Sequence, residues 1–454
     1  LYNFFNPALH PTPKAVTISG SNAFGDNGVN GLVVVSLGAI TLNNVTAYVS
    51  PTGTSTGKSV ALSNAVTNAV GGVTLTGTNF FNDYQTSATN QDGLNIASHG
   101  AVSLNNVTAN GNGHDGVAIA NNSAITPQIV KLTGANTFNS NGNTGLDIES
   151  EGAVTVNDLQ ANNTINGDGA DILNTFGAGS VTITGYGIFQ GNEGNGLNIT
   201  SDGAVTTNNL NAACNGFMGL CVTGTGTSDY GVLIDNHNAS TPQNVSILGI
   251  NIFNSNDQGG LDVASKGAVS VADVTANDSV AVAGYGVNIN NAVSGAVGGV
   301  TITGTNFFDG NAADGLSVDS KGTITANNID AESNGVYGAD LENPLGSSSV
   351  KITVSGLNLF ENNISDGLFI NGSGSVSLTK IYAYNNHGNG LDVNEATNVT
   401  LNCGGFTGNS TDGIYVNNAT TVALSGVLSD DNTVQNIEWA GGTYTNTPRD
   451  CPLP

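Results

Sequence analysis

Residues 73–82 read VTLTGTNFFN, residues 92–98 read DGLNIAS, and a related pair, GAVSLNNVTA and DGVAIAN, follows at residues 100–109 and 115–121. Together these pieces form a unit that recurs with a period of roughly 50 residues, and such self-similarity is typical of a repeat architecture. The first valine marks eight units, at Val16, Val73, Val130, Val181, Val245, Val300, Val350 and Val399. Because each unit has two related halves, the sequence predicts about 16 coils in eight two-coil repeats.

Apolar residues alternate along each piece, as at Val73 and Leu75 and again at Leu94 and Ile96. A period of two predicts β-strands with one buried face. Strands this short cannot form a core alone, so they must stack on copies of themselves. The sequence therefore predicts an all-β fold, a single-stranded parallel β-helix (solenoid), over residues 16–430. Residues 1–15 are expected to form an N-terminal cap or an inter-subunit segment, and residues 431–454 a C-terminal cap or tail.

Two polar and aromatic columns recur inside the units. Phenylalanine occurs once per unit, which predicts an internal aromatic ladder at Phe24, Phe81, Phe138, Phe189, Phe253, Phe308, Phe360 and Phe406. Asparagine follows three residues later in seven units, at Asn27, Asn141, Asn192, Asn256, Asn311, Asn363 and Asn409. Because an amide both donates and accepts hydrogen bonds, stacked Asn side chains can satisfy one another. These residues are interpreted as fold determinants.

The cysteines predict the compartment. The four Cys residues fall into two natural pairs, Cys214 with Cys221 and Cys403 with Cys451, although four unpaired buried thiols remain an alternative. Two disulfides indicate an oxidising environment and therefore an extracellular or cell-surface location.

Charge narrows the range of partners. The chain has 34 acidic residues against 8 basic ones, a formal net charge of −26. Nucleic-acid binding is not expected, because phosphate neutralisation needs clustered cations. Membrane insertion is not expected either, since no apolar run approaches the roughly 20 residues that span a bilayer.

The repeat resembles the right-handed parallel β-helix superfamily, which includes pectin-active lyases and hydrolases, phage tailspikes and adhesin passenger domains. The resemblance covers about residues 16–430, is architectural, and implies right-handed coiling. The lyases use Arg or Lys as a base, whereas the only Arg here is Arg449. The hydrolases carry paired Asp with Gly-His-Gly and Arg-x-Lys motifs, and this chain has only the adjacent Asp430 and Asp431. A known enzyme mechanism is therefore disfavoured.

Outward positions on neighbouring coils predict three candidate groups. One joins Asp147, Glu149 and Asp171, another joins Asp319, Asp340 and Glu342, and a mixed strip joins Phe369, Asp392 and Tyr415. Each acidic group is interpreted as a solvated face, a Ca²⁺ site or a carboxylate pair for glycoside hydrolysis. The mixed strip is a candidate for glycan binding. No cofactor is expected other than Ca²⁺ at these acidic groups.

Outward positions also carry Asn-x-Ser/Thr triplets, which are acceptors for N-glycosylation in secreted proteins. The glycosylation candidates are Asn44, Asn106, Asn198, Asn244, Asn398 and Asn418.

A solenoid with uncapped ends can pair edge to edge, so the leading expectation is an extracellular structural protein, a homopolymeric subunit of a filament, sheath or surface layer. The alternatives are an adhesin or glycan-binding stalk, with surface glycans as partners, and a carbohydrate-active enzyme.

Overall fold

In the described part of the computed structural model every regular element is a β-strand, and each strand runs parallel to its hydrogen-bonded neighbours. The structure describes residues 1–3, 13–49, 57–83, 91–124, 126–216, 229–344 and 346–451. Among these residues, none belongs to a helix that is both long and apolar enough to cross a membrane. The chain is a parallel β-helix in which the backbone winds through three strand positions per coil, called here the first, second and third faces.

The chain divides into two compact units, 1–239 and 240–454. In the first unit, the first face contains Val16–Ile18, Ile40–Asn43, Val73–Thr76, Val102–Asn105, Val130–Thr133 and Val205–Asn208. The second face contains Asn22–Gly25, Val45–Val49, Asn79–Asp83, Val107–Thr108, Asn136–Thr137 and Leu210–Ala213, while Val154–Gln160 and Val181–Gln190 run through both faces. The third face contains Tyr2–Asn3, Leu32–Ser36, Val60–Asn64, Leu94–Ser98, Val117–Asn121, Leu146–Ser150, Ala170–Asn174, Leu197–Ser201 and Tyr230–Asp235.

In the second unit, the first face contains Val245–Leu248, Val269–Ala272, Val300–Thr303, Ile324–Asn327 and Lys351–Ser355. The second face contains Asn251–Ile252, Val274–Thr275, Asn306–Phe307, Ile329–Glu332 and Asn358–Glu361, while Ser375–Tyr384 and Asn398–Thr407 run through both. The third face contains Gly259–Ala264, Tyr285–Asn291, Leu316–Ser320, Ala339–Asn343, Leu368–Gly372 and Leu391–Asn394. Ile414–Asp430 continues from the third face through the first and second, and Ile437–Thr447 from the third through the first.

The predicted alternation is confirmed within the strands. In Leu94–Ser98 the first, third and fifth residues are buried and the other two are partly exposed. The strand pairs in register with Val117–Asn121 in the next coil, Leu94 opposite Val117 and Ile96 opposite Ile119. One position shifts from the prediction: Ile352, rather than Val350, pairs with Ile324 and continues the buried column.

Phenylalanine does not stack directly on phenylalanine. In seven of the predicted positions the ring is fully buried, but the intervening coil carries alanine, as where Phe189 pairs with Ala212 and Phe360 pairs with both Ala331 and Ala383. Alternating a large and a small side chain lets the layers interdigitate without strain. The predicted aromatic ladder is therefore a Phe–Ala ladder with a two-coil period.

The asparagine column is confirmed at Asn141, Asn192, Asn311, Asn363 and Asn409, and it extends into the intervening coils. In the second unit, the Asn334 amide donates to Asn363 Oδ1 at 3.0 Å, Asn363 donates to Asn386 at 2.9 Å and Asn386 donates to Asn409 at 3.0 Å. Asn432 ends this series by accepting from Asn409 at 2.9 Å. The amides satisfy one another inside a closed interior.

The corner between the first and second faces alternates in the same way. Asn44 and Gly77 occupy this corner in successive coils with φ of 51° and 73°. Asn44 Oδ1 accepts the Thr78 backbone N–H at 2.9 Å, and a Cβ on Gly77 would collide with that oxygen. Asn328 and Gly356 repeat the arrangement in the second unit. From Asn44 to Gly356, asparagine or aspartate alternates with glycine at this corner, whereas Lys380 and Cys403 occupy it in two successive coils nearer the C-terminus.

The C-terminal segment is tied to the second unit by the predicted disulfide between Cys403 and Cys451, with a Cα–Cα distance of 5.6 Å. Cys221, and with it the predicted Cys214–Cys221 pair, lies outside the described residues. Ile437–Thr447, within the segment expected to be a cap or tail, pairs in parallel with Ile414–Asp430. At the other end, Tyr2–Asn3 pairs with Leu32–Ser36.

Candidate functional site

The two acidic groups and the mixed strip all lie on the third face, whereas the first face exposes mainly Thr, Ser and Asn, as at Thr74, Ser103 and Thr155. The register places Asp340 opposite Phe369, Phe369 opposite Asp392 and Asp392 opposite Tyr415. These four residues, called here the acidic–aromatic row, form one line across four neighbouring strands. Asp340, predicted to belong to a separate acidic group, is therefore part of the aromatic strip.

The rest of that acidic group forms a second line beside the row. Asp319 pairs with Glu342 one coil along, and Ser317 pairs with Asp340. The structure thus brings Asp319, Asp340 and Glu342 onto adjacent strands, as predicted from register. Their assignment as Ca²⁺ ligands stays a prediction.

A second aromatic ring, that of Tyr337, packs against the acidic–aromatic row. The Tyr337 ring stacks on the Phe369 ring with centroids 5.1 Å apart and an interplanar angle of 22°. Tyr337 lies at the corner that precedes the third face, where its backbone N–H donates to Asp314 Oδ1 at 2.8 Å. Both rings are partly exposed, so the stack offers apolar ring surface beside two carboxyl groups.

Both carboxyl groups of the row have raised pKa values. Burial raises the pKa of Asp340 to about 8, and the neighbouring Glu342, Asp314 and Asp319 add to the effect. Burial, followed by the charge of Asp366, raises the pKa of Asp392 to about 7 despite hydrogen bonds from Asn389 and Asn394. Asp340 Oδ1 is buried and has no hydrogen-bond partner among the described residues. A protonated carboxyl group both donates and accepts, which suits it to neutral hydroxyl groups.

A second concentration of charge occupies the third face of the first unit. It surrounds a cleft of about 290 Å³ lined on one side by Lys58, Asp92, His114 and Asp115 and on the other by Asp147 and Glu149. This site is called here the acid–histidine cleft. The cleft forms because small alanine side chains point outward on the strand between its longer neighbours. Ala118 lies between Asn95 and Asp147, and Ala120 lies between Ala97 and Glu149.

One wall of the acid–histidine cleft is a network of ionisable groups. His114 Nδ1 lies 2.8 Å from Asp92 Oδ1 and 3.0 Å from Asp115 Oδ2, and Lys58 Nζ lies 3.0 Å from Asp92 Oδ2. Burial would raise the pKa of Asp92, but Lys58 and His114 outweigh it and lower that pKa. Burial raises the pKa of Asp115, against hydrogen bonds from Asn143 and Thr144.

The first predicted acidic group forms the other wall. Asp147 pairs with Asp171, while Glu149 is bound by the side-chain amide of Asn122. Burial raises the pKa of Asp147 to about 7, with contributions from Asp115, Asp171 and Glu149. Asn198 donates to Asp171 Oδ1 at 3.1 Å. Ca²⁺ binding by Asp147, Glu149 and Asp171 stays a prediction.

Sequence reasoning missed Lys58, Asp92, His114 and Asp115. Asp92 and Asp115 precede Gly93 and Gly116 in the recurrent Asp-Gly pair, which is also a common turn signal. The available signal was the His114–Asp115 dipeptide at the one corner where successive coils both carry Asp before Gly.

The six glycosylation candidates differ in accessibility. Asn244, Asn398 and Asn418 are exposed, whereas Asn44, Asn106 and Asn198 are partly buried. Asn44 and Asn106 hold the corner of the next coil through Thr78 and Ala135. Modification at any of the six stays a prediction, with the exposed three as the accessible sites.

Comparison with known proteins gave no relative: no protein-family model matches the chain, and neither a curated protein nor a solved structure is similar to it.

Proposed function

We propose that this protein is an extracellular carbohydrate-binding protein whose acidic–aromatic row is the binding surface. The observation that carries the proposal is the Tyr337–Phe369 stack in line with Asp340 and Asp392. Sugar rings have an apolar C–H face that packs on aromatic rings and an equatorial rim of hydroxyl groups that hydrogen-bonds to carboxyl groups. Because the row advances about 4.8 Å per coil, it fits an extended chain lying across the strands.

The charge of the row indicates the glycan class. Asp319, Glu342 and Asp366 surround the row, and basic side chains are scarce in the whole sequence. A uronate would be repelled by this field, so neutral or amino sugars are the expected ligands. The raised pKa values of Asp340, about 8, and Asp392, about 7, give the row carboxyl groups that can donate hydrogen bonds to neutral hydroxyl groups.

The test is a glycan array followed by calorimetric titration of the best ligand. Phe369→Ala should weaken binding about tenfold, since an aromatic contact contributes about 0.5–1.5 kcal/mol beyond its area. Phe307→Ala is the matched control, because Phe307 is a partly exposed phenylalanine of the second face in the same unit. Absence of binding to any glycan, or equal binding by Phe369→Ala, would contradict the proposal.

A second candidate function is a filament subunit, and one observation favours it. No described strand pairs with the outer edge of Ile437–Thr447. Trp439 continues the buried column of Val416 but is 44% exposed, and it stacks on Tyr444 with centroids 4.3 Å apart. An exposed strand edge with apolar side chains favours edge-to-edge association.

Electron microscopy and sedimentation over a range of concentrations test this second function. The parent chain should form linear polymers, and Trp439→Lys should shorten or abolish them. Val297→Lys, at a solvent-exposed turn, is the control. Monodisperse particles at all concentrations would contradict the filament function without bearing on glycan binding.

A further inference from the structure

Three potential ligand atoms converge on the wall of the acid–histidine cleft. One oxygen each from Asp92 and Asp115 and Nδ1 of His114 lie within 4.8 Å of one another. The two aspartates are 3% and 4% exposed, so their carboxylates are removed from bulk water, while the His114 side chain is 34% exposed and faces the cleft. This set is therefore a buried, mixed oxygen and nitrogen donor group with one open side.

Both carboxylates are held in orientation by groups outside the set. Asp115 Oδ1 accepts from Asn143 Nδ2 at 2.8 Å and from the Thr144 backbone N–H at 3.0 Å, which turns Oδ2 toward His114. Asp92 Oδ2 accepts from Asn95 at 2.9 Å and from Lys58, which turns Oδ1 toward the same ring nitrogen. Such outer hydrogen bonds fix ligand orientation in metal sites.

The fold supplies this orientation through coil stacking. Asp92 and Asp115 occupy the same corner in successive coils, and the Gly93 backbone N–H donates to the Asp115 carbonyl at 2.9 Å. The charges that line the cleft favour a bound cation. Four acidic residues line it, Asp92, Asp115, Asp147 and Glu149, and Lys58 is the one lysine or arginine among the lining residues. The cleft of about 290 Å³ offers space for water ligands next to the set.

We propose that Asp92, His114 and Asp115 bind a divalent transition-metal ion of the Zn²⁺ type, with a fourth position open to the cleft. Mixed imidazole and carboxylate donors suit Zn²⁺, Co²⁺ and Mn²⁺, whereas Ca²⁺ and Mg²⁺ favour sets made of oxygen. Bonds of about 2.0–2.1 Å in a tetrahedron separate the ligand atoms by about 3.3 Å. The observed separations of 2.8 and 3.0 Å need widen only slightly, which the partly exposed His114 ring permits.

The test is titration of a tag-free, chelator-treated chain with Co²⁺, followed by displacement with Zn²⁺. The parent should bind one Co²⁺ with the intense visible absorption of a four-coordinate ion. His114→Gln and Asp115→Asn should each weaken binding at least tenfold; the Asn variant retains Oδ1 for Asn143 and Thr144, and circular dichroism checks its fold. Lys58→Met should tighten binding, because it removes a positive charge 3.0 Å from Asp92 Oδ2, while Asn95 still donates to that oxygen and keeps the carboxylate oriented.

His237→Gln provides the matched control, since His237 Nδ1 is also bonded to a carboxylate, that of Asp235, in the same unit. It should leave Co²⁺ binding unchanged. Absence of one-to-one binding by the parent would overturn the proposal, and so would full binding by His114→Gln or a loss caused by His237→Gln. None of these outcomes depends on the acidic–aromatic row.

Discussion

Replacing Asn386 by alanine should destabilise the second unit by removing a rung of its asparagine ladder. Asn386 Oδ1 accepts from the Asn363 backbone N–H at 3.0 Å and from the Asn363 amide at 2.9 Å. Its Nδ2 donates to the Phe360 carbonyl and to Asn409 Oδ1, both at 3.0 Å. The side chain is fully buried, so water does not replace these partners without a cavity.

Four hydrogen bonds at about 0.5–1.5 kcal/mol each give an expected loss of about 2–6 kcal/mol in the free energy of unfolding. Asn402→Ala is the matched control, because Asn402 points outward from the first face and its loss should cost less than about 0.5 kcal/mol. Asn386→Leu keeps side-chain volume and removes the bonds. It should therefore be no more stable than the alanine variant if hydrogen bonding is the cause.

Urea unfolding followed by circular dichroism measures the global effect, and hydrogen exchange of peptides from 358–412 measures the local one. Repeat proteins open in segments, so exchange should accelerate first in the coils that contact Asn386. A loss no larger than that of Asn402→Ala, or full rescue by Asn386→Leu, would refute the ladder as a source of stability.

Three other substitutions test separate parts of the fold. Ser279 lies in the asparagine column, and its buried hydroxyl group has no hydrogen-bond partner among the described residues. Ser279→Asn should therefore raise the free energy of unfolding in urea by about 0.5–2 kcal/mol, and a decrease would contradict this prediction. The pKa of Asp340 is raised to about 8, so its stabilising contribution is complete below its ordinary pKa of 3.8 and is lost as pH rises toward 8. The urea concentration at the unfolding midpoint should therefore fall between pH 4 and pH 8 in the parent, and Asp340→Asn should make this fall smaller. An equal fall in the variant would contradict the argument that burial raises the pKa of Asp340. Cys451→Ser removes the disulfide that closes a loop of 48 residues, and it should lower the unfolding free energy of the C-terminal strands by about 4 kcal/mol. Thermal unfolding measures this loss, and the parent protein with its disulfide reduced should show the same loss.

The sequence was sufficient for the fold because its signals are local and repeated. Alternation at Leu94 and Ile96 predicts a strand in isolation, and recurrence of the unit predicts how that strand stacks. The pairing of Phe with Ala was not predicted, because alanine carries no signal of its own until the register is known. Val350 was misplaced by two residues for a similar reason: both Val350 and Ile352 fit an alternating pattern.

The sites were only partly predictable. Register along the third face correctly brought Asp392 beside Phe369 and Tyr415, because strand pairing is additive from coil to coil. The contact between Tyr337 and Phe369 was missed, since the direction of a corner side chain depends on backbone angles rather than on alternation. His114 was missed for the same reason. Its contacts with Asp92 and Asp115 depend on how two successive corners stack, which alternation along a strand does not predict.

Between Asn44 and Gly356, the alternation of asparagine or aspartate with glycine at the corner between the first and second faces limits how the chain can change in length. Loss or gain of one coil would bring two glycines together, with no amide to hold the following strand, or two asparagines into space shaped for one. Loss or gain of two coils preserves the alternation. Recombination within the part of the gene that encodes these coils should therefore leave viable descendants that differ by even numbers of coils, and the same parity would apply to engineered versions lengthened or shortened there.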